Sequence, residues 1–233
     1  VYDRLISLAQ AGHWQAVMVA EACSTYSPAR FFDASNGDPD ADPGPPPVRT
    51  KRYPDGLPLD QIPPKHRLEL RVSNERLRRT VNIALAARNS SSKVTIIFEN
   101  PADYSDSSKS WYSEDLADHG AIWGTKEVKR LRDGLGPHSI ATFAACAFGC
   151  DARKYTTILF TNDAATVLGP LDGADYKCKH ESHKDVAGGK DADGAWKSKR
   201  YAAYTERLIA RLAMAFTHAR TGDPRPLSLQ REG

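Results

Sequence analysis

Residues 15–20, QAVMVA, and residues 93–98, KVTIIF, bracket a run of helix formers from residue 65 to residue 89, and this strand, helix, strand order decides the fold. Both short runs are apolar and the second is rich in β-branched residues, which suits strands covered on both faces. Between them Leu68, Val72, Leu77, Val81, Ala84 and Leu85 recur at helical spacing with Arg and Glu elsewhere, as an amphipathic crossover helix requires. Two strands joined through a helix pair in parallel with a right-handed connection. Ligands of open parallel sheets sit beyond the carboxyl ends of the strands. Cys23, just past the first run, and Glu99, at the exit of the second, therefore stand on the functional edge.

Outward from this unit, residues 2–11 have the spacing of a short amphipathic helix that stops at Gly12. Residues 33–64 are dense in Pro, Asp and Gly and predict a long loop, because such a stretch lacks the backbone donors for regular structure. A short helix is expected over residues 126–133. Residues 139–148 and 155–160 read as two further strands, an antiparallel hairpin at the sheet edge joined through residues 149–154. Residues 162–199 are polar and Gly-rich. Residues 201–220 form an amphipathic helix with Tyr204, Leu208, Leu212 and Phe216 on one face, and a Pro-rich tail follows from Thr221. The expected organisation is a catalytic half over residues 1–162, a polar Cys/His-containing loop region over 163–200, and a C-terminal helix over 201–220 packing on the same domain.

With 233 residues, 40% hydrophobic and 26% charged, the chain has the composition of a globular α/β protein. No apolar run is long enough to span a bilayer, and the N-terminus lacks the layout of a signal peptide. The 4 cysteines are irregularly placed and read as reduced thiols rather than a disulfide framework, which points to the cytoplasm or nucleus. The chain opens at Val1 directly in helical periodicity, as an excised domain or fragment would. The net charge of +3 is compatible with a nucleic-acid partner but well short of a dedicated DNA-binding domain.

Taken alone, Cys23 is either a small apolar residue packed at a strand end or a thiol placed for activation by a cation such as Arg30. Glu99 at the corresponding exit would have its pKa raised by partial burial and could serve as a proton donor. In their order along the chain these residues resemble the catalytic half of the cytosine-C5 DNA methyltransferases. Ala22-Cys23, followed by Ser24-Thr25-Tyr26-Ser27, resembles the family's Pro-Cys motif. Glu99-Asn100-Pro101 resembles its Glu-Asn-Val, and Phe148-Gly149 followed by Arg153-Lys154 resembles its Tyr-Gly turn and arginine-bearing motif. The likeness spans about residues 2–161 and extends to divergent methylase-like segments of phage and mobile elements, which share CSTYSPARF, FENP and a later Cys/His cluster.

The resemblance implies a partial Rossmann-like, methyltransferase-type fold: a mostly parallel sheet with flanking helices and an antiparallel edge hairpin. It also implies a covalent mechanism. Cys23 adds to C6 of a flipped cytosine, Glu99 steadies the ring nitrogen, Asn100 and Arg153 complete the catalytic set, and S-adenosylmethionine gives a methyl to C5. Ser27, Arg30 and Lys154 would meet the DNA. The family's Phe-x-Gly-x-Gly cofactor loop is absent from these residues, which leaves the S-adenosylmethionine site incomplete in this chain. The alternative of a different class is a non-catalytic nucleic-acid-binding module of a mobile element.

Cys178, His180 and His183, with Cys146 and Cys150 upstream, have the chemistry of zinc ligands but not a standard finger spacing, and Cys146 is expected in a strand. The favoured reading is no metal, with the polar segment and its Lys177, Lys179, Lys184, Lys190, Lys197, Lys199 and Arg200 touching solvent or a nucleic-acid backbone. Trp111, Tyr112 and Trp123 could stack on bases but are assigned to core packing.

Overall fold

The computed structural model describes residues 1–32, 35, 43–185 and 197–221. Parts of the expected Pro-rich loop (33–34 and 36–42), of the polar segment (186–196) and the Pro-rich tail from residue 222 lie outside the described residues. The elements in order are α1 (Tyr2–Gln10), β1 (Ala16–Ala20), α2 (Pro64–Ser90), β2 (Thr95–Pro101), α3 (Lys126–Leu135), β3 (His138–Ala144), β4 (Tyr155–Thr161), α4 (Ala165–Leu168), α5 (Lys197–Arg200) and α6 (Glu206–Thr221). Short 3-10 turns join several of them. The protein is thus α/β, with a four-stranded sheet in the order β1-β2-β4-β3.

The sheet is mixed, which corrects the expectation of a mostly parallel one. β1 and β2 are parallel in the register Ala20 to Glu99. β4 runs antiparallel to both β2 and β3. A parallel return needs a crossover of about a dozen residues or more, usually helical. α2 and α3 supply such crossovers, whereas the link from β3 to β4, residues 145–154, holds only a 3-10 turn and reverses the chain. The crossover through α3 sets β3 one place beyond β2, and β4 turns back into the gap. The hairpin is real, but its second strand is interior.

α2 begins at a proline in its first turn, where the missing N–H costs nothing. Its buried face is Leu70, Ser73, Leu77, Val81, Ala84 and Ala87. Leu68 and Val72, expected on that face, are 59% and 52% exposed, because the buried stripe runs instead from Leu70, packed on Val48 and Ile62, to Leu77, Val81, Ala84 and Ala87 in the core with the sheet. β2 is buried along its whole length. Strand alternation sends Ile96 and Phe98 into the core formed with α2 and α3, and Ile97 into the core formed with α4 and α6. Trp123 packs edge-on against Phe98 and donates through its indole to the Pro101 carbonyl at 2.7 Å. Trp111 stacks on Tyr155 at 5.2 Å and donates to the Asp103 carbonyl. Both tryptophans are thereby part of the packing. Among the described residues no helix is long and apolar enough to cross a membrane.

Candidate functional site

β2 extends three residues further than periodicity predicts, to Pro101, so Glu99 and Asn100 lie inside the strand rather than at its exit. Alternation then points them to opposite faces. Asn100 turns toward the exit of β1, where its Nδ2 donates to the Glu21 carbonyl at 2.8 Å. Its Oδ1 is buried and has no hydrogen-bond partner among the described residues. Glu99 shares a face with Ile97 and looks toward the segment preceding α6. There Tyr204 donates its hydroxyl to Glu99 Oε2 at 2.8 Å.

The chain leaving β1 is held firmly. The buried Glu21 carboxylate takes hydrogen bonds from Arg76 at 2.5 Å and Thr80 at 3.2 Å, both on α2. Cys23 follows, half-buried, its carbonyl accepting from Tyr26 N at 2.8 Å. Ser27 caps the 3-10 turn Pro28–Phe31 by accepting from Ala29 N. Arg30, at the end of that turn, reaches back to the Ser24 carbonyl at 2.6 Å and the Pro46 carbonyl at 3.0 Å, and pairs with Glu69. Arg30 is 7% exposed, and Ser27 and Arg30, two of the three expected DNA contacts, both shape the Cys23 loop.

A second arginine completes that loop. Arg49, 1% exposed, lies over the Tyr26 ring at 3.9 Å and donates to Thr25 Oγ1, the Pro54 carbonyl and Asn74 Oδ1. Burial lowers its pKa, opposed by the Tyr26 hydroxyl and Asp55. It sits in the Pro-rich stretch that sequence alone assigns to a long loop, where nothing local distinguishes it from the exposed Arg52.

Four side chains share one electrostatic environment: Cys23, Glu99, Lys154 and Tyr204. Burial pushes the Cys23 thiol up, Lys154 pulls it down, and the Glu99 carboxylate raises it again. Burial likewise raises Glu99, against Lys154 and the Tyr204 hydrogen bond. Tyr204 is pushed up by burial, by Glu99 and by Cys23. Lys154 is oriented by donating to the Tyr201 carbonyl at 3.0 Å. Of the expected catalytic residues, Cys23 lies just past the end of β1, and Glu99 and Asn100 lie inside the neighbouring strand β2. Arg153 does not join them: its side chain is exposed and its guanidinium lies 5.9 Å from the Tyr155 ring centre. The adjacent Lys154 supplies the cation. Tyr204, expected on an apolar helix face, precedes α6 and is the polar partner that sequence reading missed.

The ligating atoms of Cys146, Cys178, His180 and His183 all lie within 4.8 Å of one another. Cys150 is outside this group. Cys146 is not in a strand, since β3 ends at Ala144 and residues Ala145–Phe148 form a 3-10 turn closed by Gly149 in the left-handed region, φ +89°. Burial and the neighbouring Cys178 push the Cys146 thiol up to about 11. In the polar segment Lys177 is turned inward to the Thr142 carbonyl and Asp172, and Lys197 pairs with Asp185. Lys190 and the side chain of Lys199 lie outside the described residues. A groove of about 470 Å³ follows the free edge of β1 from Trp14 to Glu21 and stops short of Cys23.

Comparisons with models of protein families, with curated proteins and with solved structures find no match to the chain.

Proposed function

We propose that the chain carries a pyrimidine-handling site of the cytosine-C5 type, in which Cys23 is the nucleophile and Glu99 the acid. The observation that carries this reading is the electrostatic influence of the Glu99 carboxyl, inside β2, on the Cys23 thiol just past the end of the parallel strand β1, with Lys154 acting on both. A carboxyl raised by burial holds its proton toward neutral pH and can give it to a ring nitrogen. Lys154 favours the thiolate against the burial that opposes it. The same reading takes the sheet as part of a Rossmann-like, methyltransferase-type fold, supported by the parallel pair β1-β2 and the antiparallel hairpin beside it.

The chemistry follows from these roles. The Cys23 thiol gives its proton to solvent and its sulfur forms a bond to C6 of the base. The C5–C6 π electrons move to C5 as Glu99 protonates N3, leaving C5 nucleophilic. S-adenosylmethionine, which the resemblance implies, would supply a methyl to that carbon when bound. β1 runs into Glu21-Ala22-Cys23 and β2 into Ala102-Asp103, neither of them a glycine-rich turn, so these strand exits do not form its cradle. The site's own chemistry is therefore addition and proton exchange. In heavy water C5 takes a deuteron and loses its proton to solvent, and expulsion of the thiolate, with the N3 proton returning to Glu99, gives 5-deuterocytosine.

That exchange is the test. The chain incubated with a cytosine-containing single-stranded oligonucleotide in heavy water exchanges the C5 hydrogen, read by mass spectrometry. Cys23→Ser and Glu99→Gln lower the rate by about 100-fold or more. Binding of the oligonucleotide without exchange would overturn the enzymatic reading and leave the non-catalytic nucleic-acid module.

A further inference from the structure

We infer that Cys146, Cys178, His180 and His183 bind one zinc ion tetrahedrally. The inference is independent of the Cys23 chemistry. Cys178 Sγ lies 3.3 Å from His183 Nε2 and 3.9 Å from His180 Nδ1, and all four ligating atoms fall within 4.8 Å of one another. A tetrahedral zinc with bonds of about 2.3 Å to sulfur and about 2.0 Å to nitrogen sets its ligands roughly 3.3–3.8 Å apart. The group needs to contract by only about 1 Å to meet that geometry. Two thiolates balance the charge of the ion, so a neutral centre forms where Cys146 is only 8% exposed.

The donor set matches zinc by chemistry as well as spacing. Thiolate and imidazole together favour a borderline-soft ion over magnesium or calcium, which take oxygen. Four protein ligands leave no open position, which marks a structural rather than a catalytic centre. On binding, both thiol protons pass to solvent, two Zn–S and two Zn–N bonds form, and no oxidation state changes.

The surroundings are built to hold the ligands. The turn that carries Cys146 is closed by Gly149 at φ +89°, a conformation that other residues adopt only with strain. Cys178 N donates to the Tyr155 hydroxyl at 3.0 Å, and Tyr155 N donates to the Tyr104 hydroxyl at 2.8 Å. Beyond His183, Asp185 bridges to Ala152 and binds Lys197 and the Tyr201 hydroxyl. The Tyr201 carbonyl in turn accepts from Lys154. The ion would thus fasten the segment 178–185 to the β3–β4 turn and steady the route to Lys154.

The test uses the chain purified without a histidine tag under reducing conditions. Metal analysis is expected to give about one zinc per chain. Cys150→Ser keeps it, whereas Cys178→Ser and His183→Ala lose it. Cobalt replacing zinc in the unaltered chain gives the intense visible bands and thiolate charge-transfer absorption of a tetrahedral site, a readout that does not depend on the variants folding. The inference is overturned if the unaltered chain shows neither zinc nor that spectrum after reconstitution. It also fails if Cys178→Ser and His183→Ala keep full metal content, or if Cys146 and Cys178 are found joined as a disulfide.

Discussion

The Tyr204 hydroxyl donates to Glu99 Oε2 at 2.8 Å across 105 residues of chain, joining the C-terminal segment to the middle of the buried strand β2. This bond stabilises the ionised carboxyl, opposing the burial that raises it. Tyr204→Phe removes it without changing the packed ring and is expected to cost about 1 kcal/mol in urea unfolding near neutral pH. Because the bond lowers the Glu99 pKa, its loss raises that pKa further. A carboxyl raised in the folded state contributes stability that is present at low pH and lost as pH climbs from the ordinary glutamate value through the folded one. The fall therefore extends to higher pH in Tyr204→Phe and vanishes in Glu99→Gln, as urea midpoints across the pH range would show.

Arg49 is buried among neutral acceptors and the Tyr26 ring, with no carboxylate in contact among the described residues. Arg49→Ala strips the partners from Thr25, Pro54 and Asn74 and is expected to destabilise by about 3 kcal/mol. Arg52→Ala, at an exposed position in the same stretch, should stay within about 0.5 kcal/mol. Equal effects of the two in chemical denaturation would contradict the role given to Arg49.

His119 is buried, with Nε2 on the Tyr26 carbonyl at 2.9 Å and Nδ1 facing the Tyr104 N–H at 3.4 Å. One nitrogen donates and the other accepts, so the ring is neutral, and burial holds its pKa below the ordinary histidine value. Its contribution is complete above that ordinary value and is lost as pH falls toward the folded one. Stability measured from pH 7.5 down to 5 should drop more steeply in the native chain than in His119→Gln. Parallel curves would show that His119 does not titrate in this way.

How much of this was legible in the sequence follows from the range of each interaction. β1, α2, β2 and the β3–β4 hairpin are visible because their apolar spacing is local. The placing of β4 between β2 and β3 is not, since a strand buried on both faces carries no mark of its neighbours. Cys23 and Glu99 stand out as chemistry next to strands. Tyr204 reads as one more aromatic on an apolar face, and its hydroxyl acquires meaning only through a residue in another element. Arg30 and Lys154 show the converse, since composition marks both as surface charge while their carbonyl partners lie 6 and 47 residues away.

The inner face of α2 gives a direct check on one such shift. Leu77 is buried against the sheet and Leu68 is exposed. Leu77→Ala is expected to cost about 2–5 kcal/mol, and Leu68→Ala no more than about 0.5 kcal/mol. Thermal unfolding of both variants would detect a reversal.

Glu99 bears on the Cys23 thiol within a single site, and the rate of Cys23 alkylation followed against pH reads that influence at the sulfur itself. Peptide mass spectrometry separates Cys23 from Cys146, Cys150 and Cys178. The native thiol should react with a midpoint above the ordinary cysteine value, Lys154→Ala should move that midpoint up, and Glu99→Gln should move it down. A Cys23 profile that Glu99→Gln leaves unchanged would put the two residues in separate sites.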